Sequence, residues 1–501
     1  MTDRSAVASA VRTLDLNGVP GVPTAAVGSG DEALPVHGAL VHAFPLPVDA
    51  GVLALLALVD VPGLVGASGR DRAPTRVAVP LVVSAGSWRV ALPGDGAWRA
   101  LAFAIAEGRA IPELVDAPAE DEGLPPPPIA AALVCRPAPG FAETWDGGAA
   151  GLAAATERGP EDMPGTTAVL GERLALRCYA PVEAGLDPDL ELTAFLAEEA
   201  RFTGVPALAG WAEVVTRAEG VSTLAILRAH DPEARPLDGL LRDRIAILAL
   251  APGAVSMEWA TDVARDLGGL LAALHGALAS PPADAPDLAP REASRDDIHA
   301  WRLGGRRALE RALARLKAVE PSGTRRFRDL APAVAERIAR FEALPTAPLV
   351  MRVHGAPGLD RILSGEDGGA QIVAFDGAAG DPAATREHRR RAESPLRDVA
   401  VTLRSIDGVA RAARAEAIRR NGAPLLHSAL DPAGWHDHAR YRFLASYREG
   451  IRRAGGPFAV DPDLLDAFEV VVATEAIAQA LDGVAARAAL DGLAWLVGGS
   501  A

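Results

Sequence analysis

Residues 349–363 read LVMRVHGAPGLDRIL, and residues 371–377 read QIVAFDG. The apolar stretches 349–353 and 371–375 predict two short strands. Between them, Glu366-Asp367-Gly368-Gly369 has the acidic and small residues of a hairpin turn. On either side the chain changes texture: apolar residues recur at helical spacing over 259–279, 299–317, 332–342, 439–453 and 464–489. A β island set among long helices is therefore the feature from which the rest is read.

Towards the N-terminus the helices give way to strands. Residues 221–227 predict a strand, and 166–170 with 173–179 predict a hairpin turning at Gly171. Asp187-Pro188-Asp189 opens a helix running to about residue 200, with proline in the first turn and acids at the positive end of the dipole. Residues 116–130 hold Asp116, Glu120, Asp121, Glu122 and the run Pro125–Pro128, an acidic, proline-rich linker that cannot form a helix interior. Before it, residues 1–115 are β-rich (52–59, 76–83, 87–92), followed by a helix over 98–107 that stops at Gly108. The expected organisation is an N-terminal cap domain (1–115), a linker (116–130), a small β lobe with one helix (131–235) and a mostly helical lobe (236–501). The fold class is α+β, and this order of elements is the outline of a kinase-like bilobal fold.

Composition narrows the function classes. The 501 residues are 49% apolar and 23% charged, a globular balance that can bury a large core. A net charge of −15 argues against a nucleic-acid partner. Cys135 and Cys178 are too few for a disulfide framework or a cysteine-built metal site. The longest apolar run, 52–59, is too short to span a bilayer, and residues 1–17 lack a basic region followed by an apolar one, so no membrane partner and a cytoplasmic location are expected. Lys317 is the only lysine, which excludes a G-x-x-x-x-G-K-[ST] phosphate loop, and there is no G-x-S-x-G element. His436 and His438 have no third ligand nearby and predict a helix-start surface; Arg386-Glu387-His388-Arg389-Arg390-Arg391 predicts a solvated loop able to meet an acidic partner.

Several stretches resemble the maltokinases and related sugar kinases of the aminoglycoside-phosphotransferase fold. Residues 349–363 resemble their catalytic loop, R-I-H-G-D-x-H-L-G-Q-V-L, and 371–377 resemble their metal-binding strand end, V-I-D-F-E-G. Ser394-Pro395-Leu396-Arg397-Asp398-Val399-Ala400, then Leu403-Arg404-Ser405-Ile406-Asp407, is close to S-P-L-R-D-V-A-x-M-L-R-S-F-D. Asp187-Pro188-Asp189-Leu190-Glu191 matches N-P-D-L-E, and 267–279, with Leu274-His275 inside it, matches a family helix. The resemblance implies a nucleotide site built on Arg177, Glu191, Thr166 and Thr167, with Arg177 in place of the usual strand lysine and Glu191 as its partner. It also implies a sugar pocket near Arg404 and Asp407, and structural roles for His354, Arg397 and Asp398.

At the positions that do the chemistry the chain departs from this pattern. The Asp expected to orient the attacking hydroxyl is Ala356, the metal-holding Asp is Ala374, the loop's second histidine is Gly358, and the metal-binding amide is Arg361. Phosphoryl transfer needs Mg²⁺, a cation on the phosphates and a carboxylate at the nucleophile; a methyl group offers magnesium no oxygen and an arginine repels it. Asp376 remains as a metal ligand two residues past Ala374, and Asp360 as a turn residue. The sequence therefore predicts a maltokinase-like pseudokinase, a binding or regulatory module beside trehalose synthase or another α-glucan enzyme, still able to take a sugar. The alternative is an active kinase using ATP and Mg²⁺ on maltose, giving maltose 1-phosphate, or on an amino sugar. A structural subunit that binds neither ligand is the third possibility.

Overall fold

The computed structural model describes residues 4–16, 19, 22, 36–47, 53–62, 74–84, 87–115, 130–159, 167–250, 257–281, 288–344, 347–365, 369–375, 386–421, 432–455 and 459–498. The chain divides into two compact units. The first comprises Met1–Ala194 and Pro206–Pro232, the second Phe195–Val205 and Glu233–Ala501.

The first unit opens with helix α1 (Arg4–Thr13) and strands β1 (Ala39–Leu46), β2 (Ala54–Val61), β3 (Thr75–Ser84) and β4 (Ser87–Val90), which form an antiparallel sheet in chain order. Strand side chains alternate between faces, and both faces of β2 are apolar. Leu56 and Leu58 enter one core with Trp98, Leu101 and Ile105, while Leu55, Ala57 and Val59 enter another with Val7 and Val11 of α1. Helix α2 (Ala97–Ala106) is capped by a side chain distant in sequence: Glu157 accepts from Gly94 N–H (2.8 Å) and Arg99 N–H (2.9 Å).

After β5 (Ala110–Pro112) and β6 (Ala131–Pro137) come α3 (Phe141–Thr144), α4 (Gly148–Ala154), β7 (Glu157–Arg158), β8 (Thr167–Leu170), β9 (Leu174–Cys178), α5 (Pro188–Ala194), β10 (Leu208–Thr216) and β11 (Gly220–Ala229). They build a seven-stranded antiparallel sheet in the order β5-β6-β10-β11-β9-β8-β7. β5 pairs with β6 from either end of residues 116–129, and one core runs from Phe44 to Leu227, so cap and small lobe form a single unit. Cys135 and Cys178 lie three strands apart in one row of this sheet, each buried and each with its thiol pushed up to about 12 by burial.

The second unit starts with a π-helical turn, Phe195–Glu199, where the sequence predicts continuous helix to residue 200. It continues with β12 (Arg235–Pro236), α6 (Leu237–Leu250), α7 (Met257–Leu278), β13 (Arg291–Glu292), α8 (Arg295–Val319), α9 (Gly323–Ala339), β14 (Leu349–Val350), β15 (Ile362–Ser364), β16 (Ala370–Ile372), α10 (Arg386–Arg389), α11 (Pro395–Asn421), α12 (Pro432–Arg453), α13 (Pro462–Gln479) and α14 (Gly483–Gly498). β15 and β16 form a hairpin, with Ile362 opposite Ile372, and β12 joins its edge. This corrects the expected pairing of 349–353 with 371–375: Leu349–Val350 pairs with β13 instead, and residues 366–368 of the expected turn lie outside the described residues. α13 is buried on nearly every face, so it packs centrally against α8, α9, α11 and α14. No described helix is long and apolar enough to cross a membrane.

Two helix expectations are corrected. The helix predicted over 332–342 starts at Gly323 and runs through Pro332, because Phe327, Val334 and Ile338 bury one face and outweigh the lost backbone bond. The helix predicted over 464–489 breaks at Ala480–Asp482, where the Arg315 guanidinium takes the carbonyls of Ala480 (2.6 Å) and Leu481 (2.5 Å). Apolar periodicity continues across that break and conceals it.

Candidate functional site

In the second unit the loop from His354 to Arg361 is held by the first turn of α11. Ser394 Oγ accepts from Leu396 N–H (3.3 Å), and the same turn presents Arg397 and Asp398. The fully buried Asp398 carboxylate accepts from His354 N–H (2.9 Å) and Gly355 N–H (2.8 Å). His275 of α7 places Nε2 at 3.3 Å from the same carboxylate and Nδ1 at 2.7 Å from the Tyr447 hydroxyl on α12. Burial and the nearby Asp398 hold that hydroxyl well above its usual range, so it stays a donor. One carboxylate thus ties α7, α11 and, through His275, α12 to the loop.

The His354 ring is fixed on both nitrogens. Ala356 N–H donates to Nδ1 (3.2 Å), which leaves the proton on Nε2, 3.0 Å from the Val373 carbonyl. Phe375 packs on the ring at 4.6 Å between centroids. Arg397 runs outward to Glu475 (2.7 Å). Beside it Glu393 exchanges both backbone bonds with Met351, and burial pushes its carboxyl up to about 7 against the pull of Arg397.

Arg361 occupies the end of the loop. Its N–H donates to the Gly358 carbonyl (2.9 Å), its carbonyl accepts from Val373 N–H (3.0 Å), and its Nη1 donates to the Ala374 carbonyl (3.1 Å). Ala374 has φ +62°, a left-handed conformation that costs an alanine about 1 kcal/mol or more. Magnesium demands several oxygen ligands at about 2.1 Å. Here Ala356 and Ala374 supply methyl groups, and a divalent ion about 4 Å from a guanidinium would meet roughly 8 kcal/mol of repulsion at an effective dielectric of ~20. Among the described residues no cluster of three or more His, Cys, Asp or Glu is arranged around a metal. The side chains at 356, 361 and 374 offer Mg²⁺ no oxygen ligand. Asp376 lies outside the described residues.

Asp360 is exposed, and its Oδ1 fills the space where a β-carbon on Gly358 would stand. The absent side chain at 358 is what lets a carboxylate fold back over the loop. Ser405 Oγ holds the adjacent Leu359 N–H (2.9 Å).

In the first unit Arg177 of β9 meets Asp189 (3.7 Å), an acid the sequence did not single out as its partner. Successive helical residues turn by about 100°, so Glu191 lies about 200° round α5 from Asp189. Asp189 is buried and also takes Arg228 (2.5 Å) and the Tyr179 hydroxyl (3.0 Å), while Asp187 Oδ1 caps the helix at Asp189 N–H (3.0 Å). Arg228 is thus the main partner of this carboxylate, and nothing in its surrounding sequence marks it. Thr167, paired with Arg177 across the hairpin, has its hydroxyl buried without a hydrogen-bond partner among the described residues; Thr166 lies outside them.

A second cluster joins α11, α12, α13 and α14. Asp407 has no exposed surface, and its carboxylate is bonded by Arg404, His436 and Arg440. Burial alone would raise its pKa, but those three groups together hold it below the usual range. Arg440 also bridges to Glu469 (2.7 and 3.0 Å) and lies over the Trp495 ring. Burial and the neighbouring Arg404 push Arg411 down to about 10. His436, expected at the surface, is buried here because Asp407 needs a donor; His438 is exposed. Likewise Arg386, expected in a solvated loop, is buried at the start of α10. The sequence missed His275, Tyr447, His436, Arg440 and Glu469 as members of these networks. Their one shared signal is a polar residue inside an apolar helical stripe.

No protein-family model matches the chain. The glucosamine kinase of Streptacidiphilus jiangxiensis is 29% identical over 423 residues, which cover 83% of this chain and 84% of that protein. A solved glucosamine kinase in complex with glucosamine, ADP and inorganic phosphate superposes with a TM-score of 0.62 at 23% identity, covering 98% of this chain and 96% of the other. Crystal form B of glucosamine kinase gives 0.69 at 23% identity, with 99% of both chains covered. The likeness thus runs to glucosamine kinases where the motifs resembled maltokinases, and the chain has their α+β, kinase-like fold from end to end.

Proposed function

We propose that this protein is a sugar kinase acting on an amino sugar, with a nucleoside triphosphate as phosphoryl donor. One observation carries the reading: the 29% identity to a glucosamine kinase spreads over 83% of the chain and is not confined to one motif. The intact hold of Asp398 on His354 and Gly355 supports it, since that anchor positions the loop where chemistry would occur. The Arg404–Asp407–His436–Arg440–Glu469 network supports a sugar-positioning role for α11 to α14; Asp407, being fully buried, would act through its partners. Ala356 sets the expected pace, because losing a general base costs about 10²- to 10⁴-fold. Glucosamine with ATP should give slow, sugar-dependent ADP release and a phosphosugar detectable by mass spectrometry, and maltose should give neither. Turnover on maltose but not glucosamine would overturn the amino-sugar assignment.

A second reading has its own observation. Methyl groups at 356 and 374 beside the Arg361 guanidinium favour a module that takes sugar and nucleotide without joining them. Glucosamine that raises Tm while no phosphosugar forms over hours would select it.

A further inference from the structure

Beside α2 the first unit holds a cavity of about 410 Å³, lined by Gly96, Arg99, Ala100, Phe103, Arg109 and Ala153. Its volume falls within the ~300–1,000 Å³ of small-molecule sites. Arg99 is the charged group there whose donors remain open. Its Nη1 donates to the Ala155 carbonyl (3.2 Å), the one acceptor its guanidinium meets among the described residues, and no carboxylate of those residues pairs with it. Glu157, the acid at this end of α2, is spent on the backbone N–H groups of Gly94 (2.8 Å) and Arg99 (2.9 Å). Gly96 has φ +89°, and a β-carbon on it would stand 3.4 Å from Arg99 Nη2, so the half-buried guanidinium folds back against the start of the helix. The other lining groups are apolar or already paired. Arg109 lies over the Phe103 ring at 5.1 Å and bonds Glu107 (2.6 Å), while Ala100 and Ala153 present methyl groups.

We infer that this cavity binds a small organic oxyanion: a phosphate or carboxylate on the Arg99 guanidinium, attached to a compact uncharged body packed on Phe103, Ala100 and Ala153. A guanidinium presents a planar fork of N–H donors that matches either oxyanion two oxygens at a time, and it keeps its charge at every physiological pH. A bare anion would leave the phenyl and methyl groups wet, and a neutral apolar molecule would leave the open donors without an acceptor. A ligand with both parts satisfies both halves of the lining. The site is separate from the kinase reading and stands or falls without it.

Calorimetric titration of the full chain with phenyl phosphate, benzoate, inorganic phosphate and benzyl alcohol tests this. Phenyl phosphate or benzoate should saturate one site, and the tighter of the two tells whether the natural group is phosphate or carboxylate. Inorganic phosphate, which lacks the body, and benzyl alcohol, which lacks the charge, should each bind at least about 10-fold more weakly. Arg99→Gln should lose about 10- to 100-fold for the tighter probe, the size of a charge-assisted hydrogen bond. Ala153→Phe, which fills the cavity and leaves both arginines in place, should lose as much, and it decides the matter if Arg99→Gln does not fold. The inference is overturned if neither charged probe binds, if inorganic phosphate binds as tightly as they do, or if either folded variant keeps the wild-type affinity, since such binding would lie elsewhere.

Discussion

Asp398 and Glu393 stand five residues apart and stabilise the loop by opposite means. Asp398 accepts from two buried backbone N–H groups and faces His275, so Asp398→Ala leaves several buried donors without an acceptor. Chemical denaturation should show a loss of about 3 kcal/mol or more. Glu393 is held by its proton. Its carboxyl titrates near 7 in the folded chain, above its ordinary 4.5, because burial outweighs Arg397, the Ser394 N–H and Trp301, with Asp297 adding a little in the same upward direction. A folded-state value raised in this way gives stability that is whole below pH 4.5 and is lost as pH rises through 7. Between pH 5 and 8 the wild type should therefore lose up to about 3 kcal/mol relative to Glu393→Gln, read from denaturant midpoints at each pH; parallel pH profiles for the two would refute it. The sequence pointed to structural roles for His354, Arg397 and Asp398 but not to these partners. The S-P-L-R-D stretch marks the turn as important, but which acid accepts bonds and which keeps a proton depends on partners 40 or more residues away. The same limit explains Asp189, whose bonds to Arg177 and Arg228 the sequence did not show.

Helix packing supplies a matched pair of tests. α7 and α12 approach so closely that a β-carbon on Gly268 would collide with the Phe443 backbone carbonyl, an atom that cannot swing aside. One residue on, Gly269 would meet only Ser446 Oγ at 3.6 Å, an ordinary contact. Alanine in a helix interior gains about 1 kcal/mol over glycine, so Gly269→Ala should stabilise the protein by up to that amount. Gly268→Ala should destabilise it, since overpacking costs about 1–3 kcal/mol and exceeds the propensity gain. Opposite shifts in the denaturation midpoint are the expected result, and two shifts of one sign would refute this account of the interface. Elements of this kind were legible where local pattern agrees with packing, as in the β8–β9 hairpin that turns at Gly171 or the Asp187-Pro188 start of α5. They were illegible where packing overrides pattern. Pro332 reads as a helix start and lies in a helix interior; the apolar rhythm across Ala480–Asp482 hides a break made by Arg315, a residue far upstream.

At the scale of the whole chain, an α+β, kinase-like fold carries methyl groups at 356 and 374, where the resemblance to the sugar kinases implies carboxylates. The fold class was legible because its signals are many and ordered along the chain: hairpin, Asp-Pro helix start, long helices, S-P-L-R-D turn; the expected boundary between cap and small lobe was not matched, since one core joins them. The buried cluster of Asp407 with His436 and Arg440 was not legible, because it assembles only in three dimensions. If the framework is sound and only the chemistry is missing, restoring the missing groups should restore rate. Ala374 holds φ +62°, a conformation that aspartate tolerates better than alanine, so Ala374→Asp relieves strain as well as adding a ligand. Combining it with Ala356→Asp and Arg361→Asn returns two carboxylates and an amide and removes the competing cation. The triple variant should phosphorylate glucosamine in the presence of Mg²⁺ at least about 100-fold faster than the wild type, the lower bound for one general base. A triple variant that folds, binds glucosamine and shows no gain in rate would mean that the loop no longer stands where transfer occurs, and the protein would then act through binding alone.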